Sequence, residues 1–575
     1  MERLETKKIN GRTYYYYSKW GWKNGKCRRL WQKYLGSLEH IVDTVTQGGP
    51  APKCADVFQW GLPMAFWNEC KRSDAIAQID RLCPKRNQGL SVGQYLAIAA
   101  LNRAIAPCSK RSIWEWFSQA ALLREIPEAS ATALSSQRFW DHMDRIDQDT
   151  AASIWRALLQ GVVERERIDL SSVSYDGTNF YTFIDTFNTR CEIARRGKNK
   201  QGRTNLRQVS YALFCCSDGQ LPLYYDVYEG NRNDARQFSQ IIERFHAFFQ
   251  SLSPTSAPKP ALTVVFDKGN NSAENFALLD RLGLHFVGSV KLDEHKDLMR
   301  IGNDDARFEP LAGERWQGAK AFRVERQIAG KARVVLVTYN PKLFQAQWLT
   351  LQADIEKALA GLDALQQRLL DRRNGLIKGG RAPSPAAVRK QCQELLKRQH
   401  LKTLIQVRIE AGEDEVPQLH YDFDEPALHR LANTYLGKTL LVTTRSEWSD
   451  ARIVEAYRSQ HQIENIFKEM KDSVVGNWWP LQHWTDTKIR VHGLYCTLAV
   501  LWRALMMRRL AQAGLALSPR RAYAELDKIK QVINVMPKKR GQKKARQQVV
   551  FTEIDPVQKQ LLEALDLEAQ TPTLG

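Results

Sequence analysis

Three acidic residues, far apart in the chain, could together bind metal ions. Asp176 ends the apolar stretch SVSYD, Asp267 ends TVVFD, and Glu464 lies in YRSQHQIENIFKEMK, residues 457–471. Open α/β sheets place their chemistry at the carboxyl ends of strands, so aspartates that end neighbouring strands would converge. Close carboxylates repel, and a divalent cation relieves the repulsion; oxygen ligands alone favour Mg²⁺, or Mn²⁺, over Zn²⁺. Either aspartate alone could instead begin an ordinary turn, because a glycine follows closely in both places.

Glu464 lies within a predicted amphipathic helix that begins near Ser449 or Asp450. The apolar side of this helix, which must pack on other structure, consists of Ile453, Ala456, Ile463, Phe467 and Met470. Glu464 lies beside that side, from where it could reach the edge of a sheet. A second stripe, at steps of three and four, consists of Tyr457, Gln460, Glu464, Lys468 and Lys471. Taken alone, a glutamate in this position is more typical of a solvated helix surface.

Three carboxylates that hold two Mg²⁺ ions form a site for phosphoryl transfer. One ion activates an attacking water or 3′-hydroxyl, and the other stabilises the leaving oxygen. The charge of the chain agrees with such chemistry, since 84 Lys and Arg against 63 Asp and Glu give +21, an excess that attracts nucleic acid. The basic segment after Asp176 supplies further candidate DNA contacts: Arg195, Arg196, Lys198, Lys200 and Arg203.

The length of 575 residues predicts several structural units. From the residue patterns we expect a small basic β-rich module for DNA binding or docking (1–50), a helical domain for DNA binding or dimerisation (51–165), the first part of an α/β core (166–292), an insertion of a β-hairpin and a helical hairpin (293–445), the second part of the core with Glu464 (446–515) and a basic tail (516–575).

The elements that must position the three acids follow from local patterns. In the first part of the core we predict strands over 169–176, 208–215 and 221–230, a helix over 234–249, a strand over 261–267, a helix over 272–283 and a strand over 285–291. In and after the insertion we predict a hairpin over 319–338 that turns at Ala329-Gly330, helices over 345–375 and 386–405, and a strand over 439–444.

The sequence argues against several classes of protein. MERLETKKIN lacks the apolar stretch of a signal peptide, and no apolar run approaches the ~20 residues of a membrane span. The run 493–507 is interrupted by Arg503 and is predicted to be a buried helix. Ten scattered cysteines without a C-x-x-C pair favour reduced thiols over disulfides or zinc ligands. We therefore expect a cytoplasmic protein without a membrane partner.

The helix stripe resembles the Tyr-x2-Arg-x3-Glu-x6-Lys signature of DDE transposases from the insertion sequence 4 superfamily. The signature stands here as Tyr457, Gln460, Glu464 and Lys471. The order of elements resembles the RNase H-like core, split by an insertion before its last carboxylate helix. Further stretches resemble the 1634-type branch: LNRAIAPCSKRSIWEW (101–116), SYDGTNFYTF (174–183), LPLYYDVYEGNRND (221–234), VVFDKGN (264–270) and QHWTDTKIRVHGLYC (482–496).

This resemblance implies a mixed sheet flanked by helices, with Asp176, Asp267 and Glu464 as catalytic residues and ligands of two Mg²⁺ ions. Tyr457 and Lys471 would contact terminal DNA phosphates, and Lys468 is a further candidate contact. Gln460 stands where the family pattern has Arg; it could still donate a hydrogen bond to a DNA phosphate but carries no charge. Arg458 lies about 200° around the helix from Gln460 and cannot substitute for the missing Arg. The family relation further implies a bacterial, nucleoid-associated transposase, that is, a metal-dependent polynucleotidyl transferase and endonuclease. It would bind the terminal inverted repeats of its element as a homodimer, cleave double-stranded DNA and join the ends to target DNA.

Two alternatives remain open at the level of sequence. One is a catalytically impaired or domesticated DNA-binding protein derived from a transposase, for which Gln460 is the support. The other is a glycoside hydrolase that uses two paired carboxylates. The basic net charge and the third acid both argue against the hydrolase.

Overall fold

This computed structural model describes residues 1–23, 26–46, 51–85, 88–197, 202–232, 234–252, 261–411, 416–538 and 545–567 of the chain. Its strands are β1 (Glu2–Ile9), β2 (Arg12–Lys23), β3 (Lys26–Ser37), β4 (Cys54–Gln59), β5 (Ser172–Tyr181), β6 (Arg195–Arg196), β7 (Arg207–Cys216), β8 (Pro222–Glu229), β9 (Thr263–Phe266), β10 (His285–Ser289), β11 (Glu309–Pro310), β12 (Lys320–Ile328), β13 (Lys331–Tyr339), β14 (Ile405–Glu410), β15 (Gln418–Phe423), β16 (Lys438–Thr443), β17 (Lys471–Asp472), β18 (Gly476–Asn477), β19 (Lys530–Val535) and β20 (Gln547–Phe551).

The helices of the described residues are α1 (Leu38–Thr46), α2 (Gly61–Arg72), α3 (Ala75–Leu82), α4 (Val92–Ile105), α5 (Ile113–Phe117), α6 (Leu122–Glu125), α7 (Ser136–Met143), α8 (Gln148–Glu166), α9 (Asp234–Leu252), α10 (Ala273–Arg281), α11 (Lys296–Met299), α12 (Pro341–Arg373), α13 (Pro385–Leu395), α14 (Leu401–Leu404), α15 (Glu425–Thr434), α16 (Asp450–Glu469), α17 (Asp486–Gln512), α18 (Pro519–Asp527) and α19 (Pro556–Ala564).

The chain forms two compact units, and the first comprises residues 1–142, 473–476 and 505–575. Two of its sheets are antiparallel and three-stranded, with the orders β1-β2-β3 and β20-β19-β4. β4 lies in a segment predicted to be helical, but it forms a strand because it pairs along its whole length with β19. The segment predicted as a basic tail contains α18, β19, β20 and α19, and residues 539–544 of its basic run lie outside the described residues.

The sheet β1-β2-β3 is the antiparallel sheet that the aromatic and basic residues near the start of the sequence predict, with β1 as an additional strand. Residues 2–37 contain ten Lys and Arg but only two acids. Tyr17 and Trp31 remain exposed. Glu5 accepts a hydrogen bond from the indole N–H of Trp20 at 2.6 Å. Strand pairing and polar bonds therefore hold this sheet together, with few buried side chains.

The second unit comprises residues 143–472 and 477–504 and is organised around a mixed ten-stranded sheet. The strand order is β11-β12-β13-β16-β10-β9-β5-β7-β6, and β8 also pairs with β7. β5, β9 and β10 run parallel, and the other pairs are antiparallel. The order of strands and helices predicted for 169–291 is confirmed, with the two-residue strand β6 as an addition between β5 and β7.

The hairpin predicted at Ala329-Gly330 is also confirmed. It joins β12 to β13, and both turn residues have positive φ, 50° for Ala329 and 78° for Gly330. Such backbone angles match the twist of the flanking strands in a two-residue turn. β13 pairs with β16, so the hairpin extends the large sheet rather than standing apart from it.

Helix α16 lies against the parallel part of this sheet. The Ser449 hydroxyl accepts a hydrogen bond from the backbone N–H of Arg452 at 3.3 Å, which confirms the predicted N-cap. The predicted apolar side is buried: Ile453, Ala456, Ile463, Phe467 and Met470. Part of that side packs with Val265 of β9, Val287 of β10 and Leu441 of β16 in one core. This packing fixes the helix that carries Glu464.

Residues 341–436 leave the sheet and build a second hydrophobic core. Tyr339, which ends β13, pairs with Lys438, which begins β16, so the excursion starts and finishes at one rung of the ladder. Apolar residues of α12, α13, α14, β14, β15 and α15 pack together, and Leu362 and Val388 at the centre are fully buried. The excursion therefore carries its own source of stability.

One helix of this excursion is shorter than its prediction. The helix predicted over 386–405 ends at Leu395, and Ile405–Glu410 form β14, paired with β15. Apolar Ile405, Val407 and Ile409 alternate with polar residues, and this period of two suits a half-buried strand rather than a helix.

The long apolar helix α17 is buried in the protein: Leu494, Leu498 and Leu501 are fully buried. Among the described residues, none of the helices combines the length and the apolar character that a membrane crossing requires.

Candidate active site

Asp176 and Asp267 lie at the same level of two adjacent parallel strands. The ladder between β5 and β9 ends with Ser174 paired to Val265. Continued by two residues, this register brings Asp176 opposite Asp267, which follows directly after β9. Neighbouring strands lie about 4.8 Å apart. The two aspartate side chains therefore leave the backbone close to each other, just beyond the last paired residues of β5 and β9.

The prediction that Asp176 ends its strand is wrong. β5 continues to Tyr181 because residues 177–181 pair with β7 on its other side. Asp267 does follow the end of β9, and its Oδ1 accepts the backbone N–H of Lys268 at 2.7 Å, where a short 3-10 turn begins. Among the described residues, β5 has no β9 partner beyond Ser174.

Alternate residues of β5 face helix α16. The hydroxyl oxygens of Ser174 and Ser459 are 2.5 Å apart, and Lys471, just after the helix, donates from Nζ to Oγ1 of Thr178 at 2.7 Å. Asp176 lies between Ser174 and Thr178 on this face, because side chains of a strand alternate with a period of two. The Asp176 carboxylate is therefore on the helix side of the sheet.

Two further bonds fix the helix beside the carboxylates. Nε2 of Gln460 donates to the carbonyl oxygen of Tyr175, and the Tyr457 hydroxyl donates to Oγ of Ser289 at the end of β10, each at 2.8 Å. Gln460, predicted to contact DNA, is only 6% exposed. Its amide is engaged with the backbone next to Asp176, so it attaches α16 to the strand.

Glu464 lies one turn beyond Gln460 and is exposed. Residues three or four apart share a helix face, so Tyr457, Gln460 and Glu464 lie on one flank of α16. The bonds of the first two residues reach β5 and β10, which flank β9, so this flank faces the edge of the two aspartates. Nδ1 of His461 lies 3.7 Å from Oε2 of Glu464.

The charges of two carboxylates act on the Tyr457 hydroxyl. Burial raises the pKa of Tyr457, the hydrogen bond with Ser289 lowers it, and the negative charges of Asp267 and Glu464 raise it again. Asp267 and Glu464 thus lie within electrostatic reach of one phenol. This agrees with the flank of α16 facing the aspartate edge.

The residue types at this edge suit a hard divalent cation, because carboxylate oxygens are the ligands that Mg²⁺ prefers. Within the described ranges, no group of three or more His, Cys, Asp or Glu side chains is close enough to hold a metal ion. One oxygen of Asp176 accepts the N–H of Gly177 at 2.8 Å. Ion binding at this edge would therefore require the side chains of Asp176, Asp267 and Glu464 to rotate toward one another.

The basic residues predicted to contact DNA lie in different surroundings. Arg195 and Arg196 form the exposed strand β6 beside β7. The Arg203 guanidinium lies 4.6 Å from the ring of Tyr181 at the end of β5. Lys468 is exposed on α16. Two more of the predicted contacts lie outside the described residues: Lys198 and Lys200.

Sequence reasoning missed the hydroxyl residues that hold α16 in place: Ser174, Thr178, Ser289 and Ser459. Ser174 and Thr178 flank Asp176 at steps of two, so the period of the strand was a usable signal. Ser289 gave no such signal, because its partner Tyr457 lies 168 positions away in the sequence.

Comparison with known proteins gives a family and several distantly similar solved structures, among them two transposase complexes. The family described as "Transposase DDE domain" matches residues 171–501. The cryo-EM structure of a piggyBac transposase synaptic complex with hairpin DNA is 8% identical, with a TM-score of 0.37, over 89% of this chain and 82% of that chain. The Mos1 transposase paired-end complex with the left transposon end is 12% identical, with a TM-score of 0.14, over 35% of this chain and 60% of that chain. No curated protein matches.

Proposed function

This chain belongs to the family of transposases with a DDE domain, and we propose that it cleaves DNA at the ends of a transposable element and joins those ends to target DNA. The family match spans residues 171–501, more than half of the chain. The single observation that carries the proposal is the shared level of Asp176 and Asp267 on adjacent parallel strands, beside a helix that carries Glu464.

We take the parallel strands with α16 as an RNase H-like core that is split by residues 293–445. The chain order supports this: β5, β7, β8, α9, β9, α10 and β10 follow one another, with only the two-residue strand β6 and a short 3-10 turn between them in the described part of the chain. The excursion with its own core then precedes the carboxylate helix. This order is the one that the sequence resemblance implies.

Asp176, Asp267 and Glu464 would hold two Mg²⁺ ions, or Mn²⁺. When bound, such ions activate water or a 3′-hydroxyl for attack on a phosphodiester and stabilise the leaving oxygen. All three residues offer carboxylate oxygens, and the Tyr457 pKa is raised by two of their charges. The accumulation of negative charge at one edge favours cations there.

Other residues of the chain would bind and orient the DNA at this edge. Lys471, bonded to Thr178, holds its ammonium group two strand residues from Asp176, so it is well placed for a phosphate next to the reacting one. Gln460 and Tyr457 would act as positioning residues, because their bonds to Tyr175 and Ser289 orient the flank that carries Glu464.

The sheet β1-β2-β3 would supply affinity for duplex DNA. Ten basic residues and two acids in residues 2–37 give it a net charge of +8. One face carries Lys8, Arg28 and Lys33, which pair across the strands with Thr13, Gly21 and Tyr17. Basic groups interleaved with exposed aromatic rings suit contacts to phosphates and bases. Docking of this face onto another protein surface is the competing role.

By the same family relation we propose a bacterial transposase of the 1634-like branch, acting at the nucleoid as a homodimer. Two ends of an element must be processed together, which is the reason to expect a dimer. Light scattering with and without end DNA measures this, and a mass that stays monomeric on end DNA contradicts it.

The proposed activity is tested with the full chain, a labelled duplex carrying the element end, and Mg²⁺. Strand cleavage that leaves a 3′-hydroxyl, followed by joining to a second duplex, supports a transposase. A protein that shifts the duplex in a gel but never cuts it, in Mg²⁺ or in Mn²⁺, would instead be a DNA-binding protein derived from one.

A further inference from the structure

A groove with three arginines lies along the flank of α16 opposite to Glu464. Its volume is about 320 Å³, roughly ten times the share of one water molecule in the liquid. Arg315, Arg452 and Arg458 line it, together with Gln462. Gln462 is two residues from Glu464 and therefore lies about 160° around the helix axis from it. The groove is thus a separate site on the other flank of the same helix.

Each of these guanidinium groups lies over an indole ring. The Arg452 group is 4.1 Å from the ring centre of Trp448, and the Arg315 and Arg458 groups are 4.6 and 4.4 Å from that of Trp316. Both indoles are buried. A guanidinium stacked on a rigid ring keeps its planar fork of N–H groups free to bind an oxyanion through two hydrogen bonds.

Two acids in the lining reduce the positive charge without cancelling it. Glu455 forms an ion pair with Arg315 at 2.7 Å. Asp169 accepts two hydrogen bonds from a neighbouring serine. In the part of the chain that the structure describes, neither Arg452 nor Arg458 forms an ion pair with a carboxylate. These two cations are therefore available to an incoming anion.

Arg315 and Arg458 lie near the same Trp316 ring, and their positive charges repel each other. Burial lowers the pKa of Arg458, and the charge of Arg315 lowers it further. An anion between the two groups would remove this repulsion. The Ser172 hydroxyl in the groove wall has no hydrogen-bond partner among the described residues and supplies a further donor.

We propose that this groove binds a phosphodiester group of DNA, distinct from the one that reacts at the carboxylates. A helix with its side chains is about 10–12 Å across, so DNA that crosses the exposed side of α16 would meet both flanks. That the anion belongs to DNA rests on the proposed function. That the groove takes a phosphate-like anion follows from its arginines.

The test compares the double variant Arg452→Gln/Arg458→Gln with the matched control Arg389→Gln/Lys390→Gln, whose two exposed cations lie on α13. Affinity of the full chain for a duplex of about 30 base pairs is measured over a range of salt concentrations. Each lost phosphate contact lowers the slope of log K against log salt by about 0.9. We expect the groove variant, which loses one phosphate contact, to lose about 0.9 from the slope and the control to lose almost nothing.

A second variant, Arg452→Lys/Arg458→Lys, keeps both charges and is expected to retain the slope. A groove variant that folds, as judged by its thermal midpoint, and keeps the slope of the control overturns the inference; the arginines then serve another anion, such as a protein carboxylate. If the unsubstituted chain shows no salt-dependent DNA binding, the proposed function fails as well. If it binds and cleaves while the groove variant equals the control, only this inference is wrong.

Discussion

The ten-stranded sheet and the sheet β1-β2-β3 are stabilised in different ways. Around the two aspartates the strands are fully buried, as in Val173, Phe266 and Val287. In the small sheet, Trp22 is 79% exposed and Tyr34 is 56% exposed. The large sheet presents acids at its edge, whereas the small one presents mainly basic residues.

The two sheets suit two different physical requirements, the precise positioning of carboxylates and the attraction of a polyanion. Carboxylates that share ions must be held to fractions of an ångström, and a close-packed core provides the necessary rigidity. Attraction of a polyanion acts over long distances and needs charge rather than a rigid core. We therefore expect changes at the acidic edge to affect chemistry and changes in the small sheet to affect binding.

The largest effect is expected from Asp176→Asn, Asp267→Asn and Glu464→Gln. Each variant removes one charge from the acidic edge and should lower strand cleavage about a thousandfold or more, the scale on which loss of transition-state charge stabilisation acts. Binding to end DNA should remain. Glu356→Gln on α12, also an exposed acid in a helix, is the matched control and should cleave normally. Cleavage at the normal rate by any of the three variants would remove that residue from the site.

The next largest effect is expected on the DNA affinity that the small sheet β1-β2-β3 supplies. Lys8→Gln/Arg28→Gln/Lys33→Gln removes three exposed cations and should lower the slope of log K against log salt by up to about 2.7. Cleavage measured at saturating protein should not change. The control with the same loss of charge is Lys357→Gln/Arg389→Gln/Lys390→Gln in the excursion. Equal slopes for the two triple variants would favour docking as the role of the sheet.

A smaller effect is expected where the helix is attached to the large sheet. Gln460→Ala removes the buried hydrogen bond from the Gln460 amide to the Tyr175 carbonyl and should lower the free energy of unfolding by about 1–3 kcal/mol. Urea denaturation measures this. Gln352→Ala, at an exposed site of α12, should change it by less than about 0.5 kcal/mol. A similar value for both variants would show that Gln460 does not fix α16.

The smallest effect concerns Glu5 on the edge strand β1 of the small sheet. The Trp20 indole holds the pKa of Glu5 below its ordinary value. The stabilisation is therefore present above the unfolded pKa and is lost as the pH falls through the folded pKa. As the pH falls from about 6 to about 3, past the ordinary pKa of a glutamate and then the lowered pKa of Glu5, amide exchange in β1, corrected for intrinsic rates, should become faster. Glu5→Gln should show fast exchange at both values, and a pH dependence as large as that of the unsubstituted chain would contradict this account.

Much of the large sheet could be predicted because its signals are local. The strands and helices over 169–291 follow from apolar periodicity, and Ala329-Gly330 identifies its own turn. The pairing of strands that are distant in the sequence is harder to predict than the strands themselves. β4 was assigned to a helical segment because its partner β19 lies more than 470 residues away, and no local pattern encodes that contact.

The candidate site could be predicted only in part for a related reason. Residue types suggested Asp176 as a metal ligand, but its place within a longer strand depends on pairing with β7. The helix period places Gln460 and Glu464 on one stripe, yet it cannot tell which of them the sheet covers. Gln460 is buried and Glu464 exposed because the stripe lies at the boundary of the packed side.

Tyr339 and Lys438 form one pair of the ladder between β13 and β16. This pairing has a consequence for how the chain could be altered, in evolution or in the laboratory. The backbone N–H of Asn340 donates to the carbonyl of Gly437 at 2.9 Å, so the chain departs and returns at almost the same point. A tight turn could bridge that gap and leave the register of β13 and β16 unchanged. Replacing the excursion by such a turn, or by a foreign domain with closely spaced ends, would therefore keep the register of the strand pair at its base, at the loss of bonds such as that between Asn303 and Asn433.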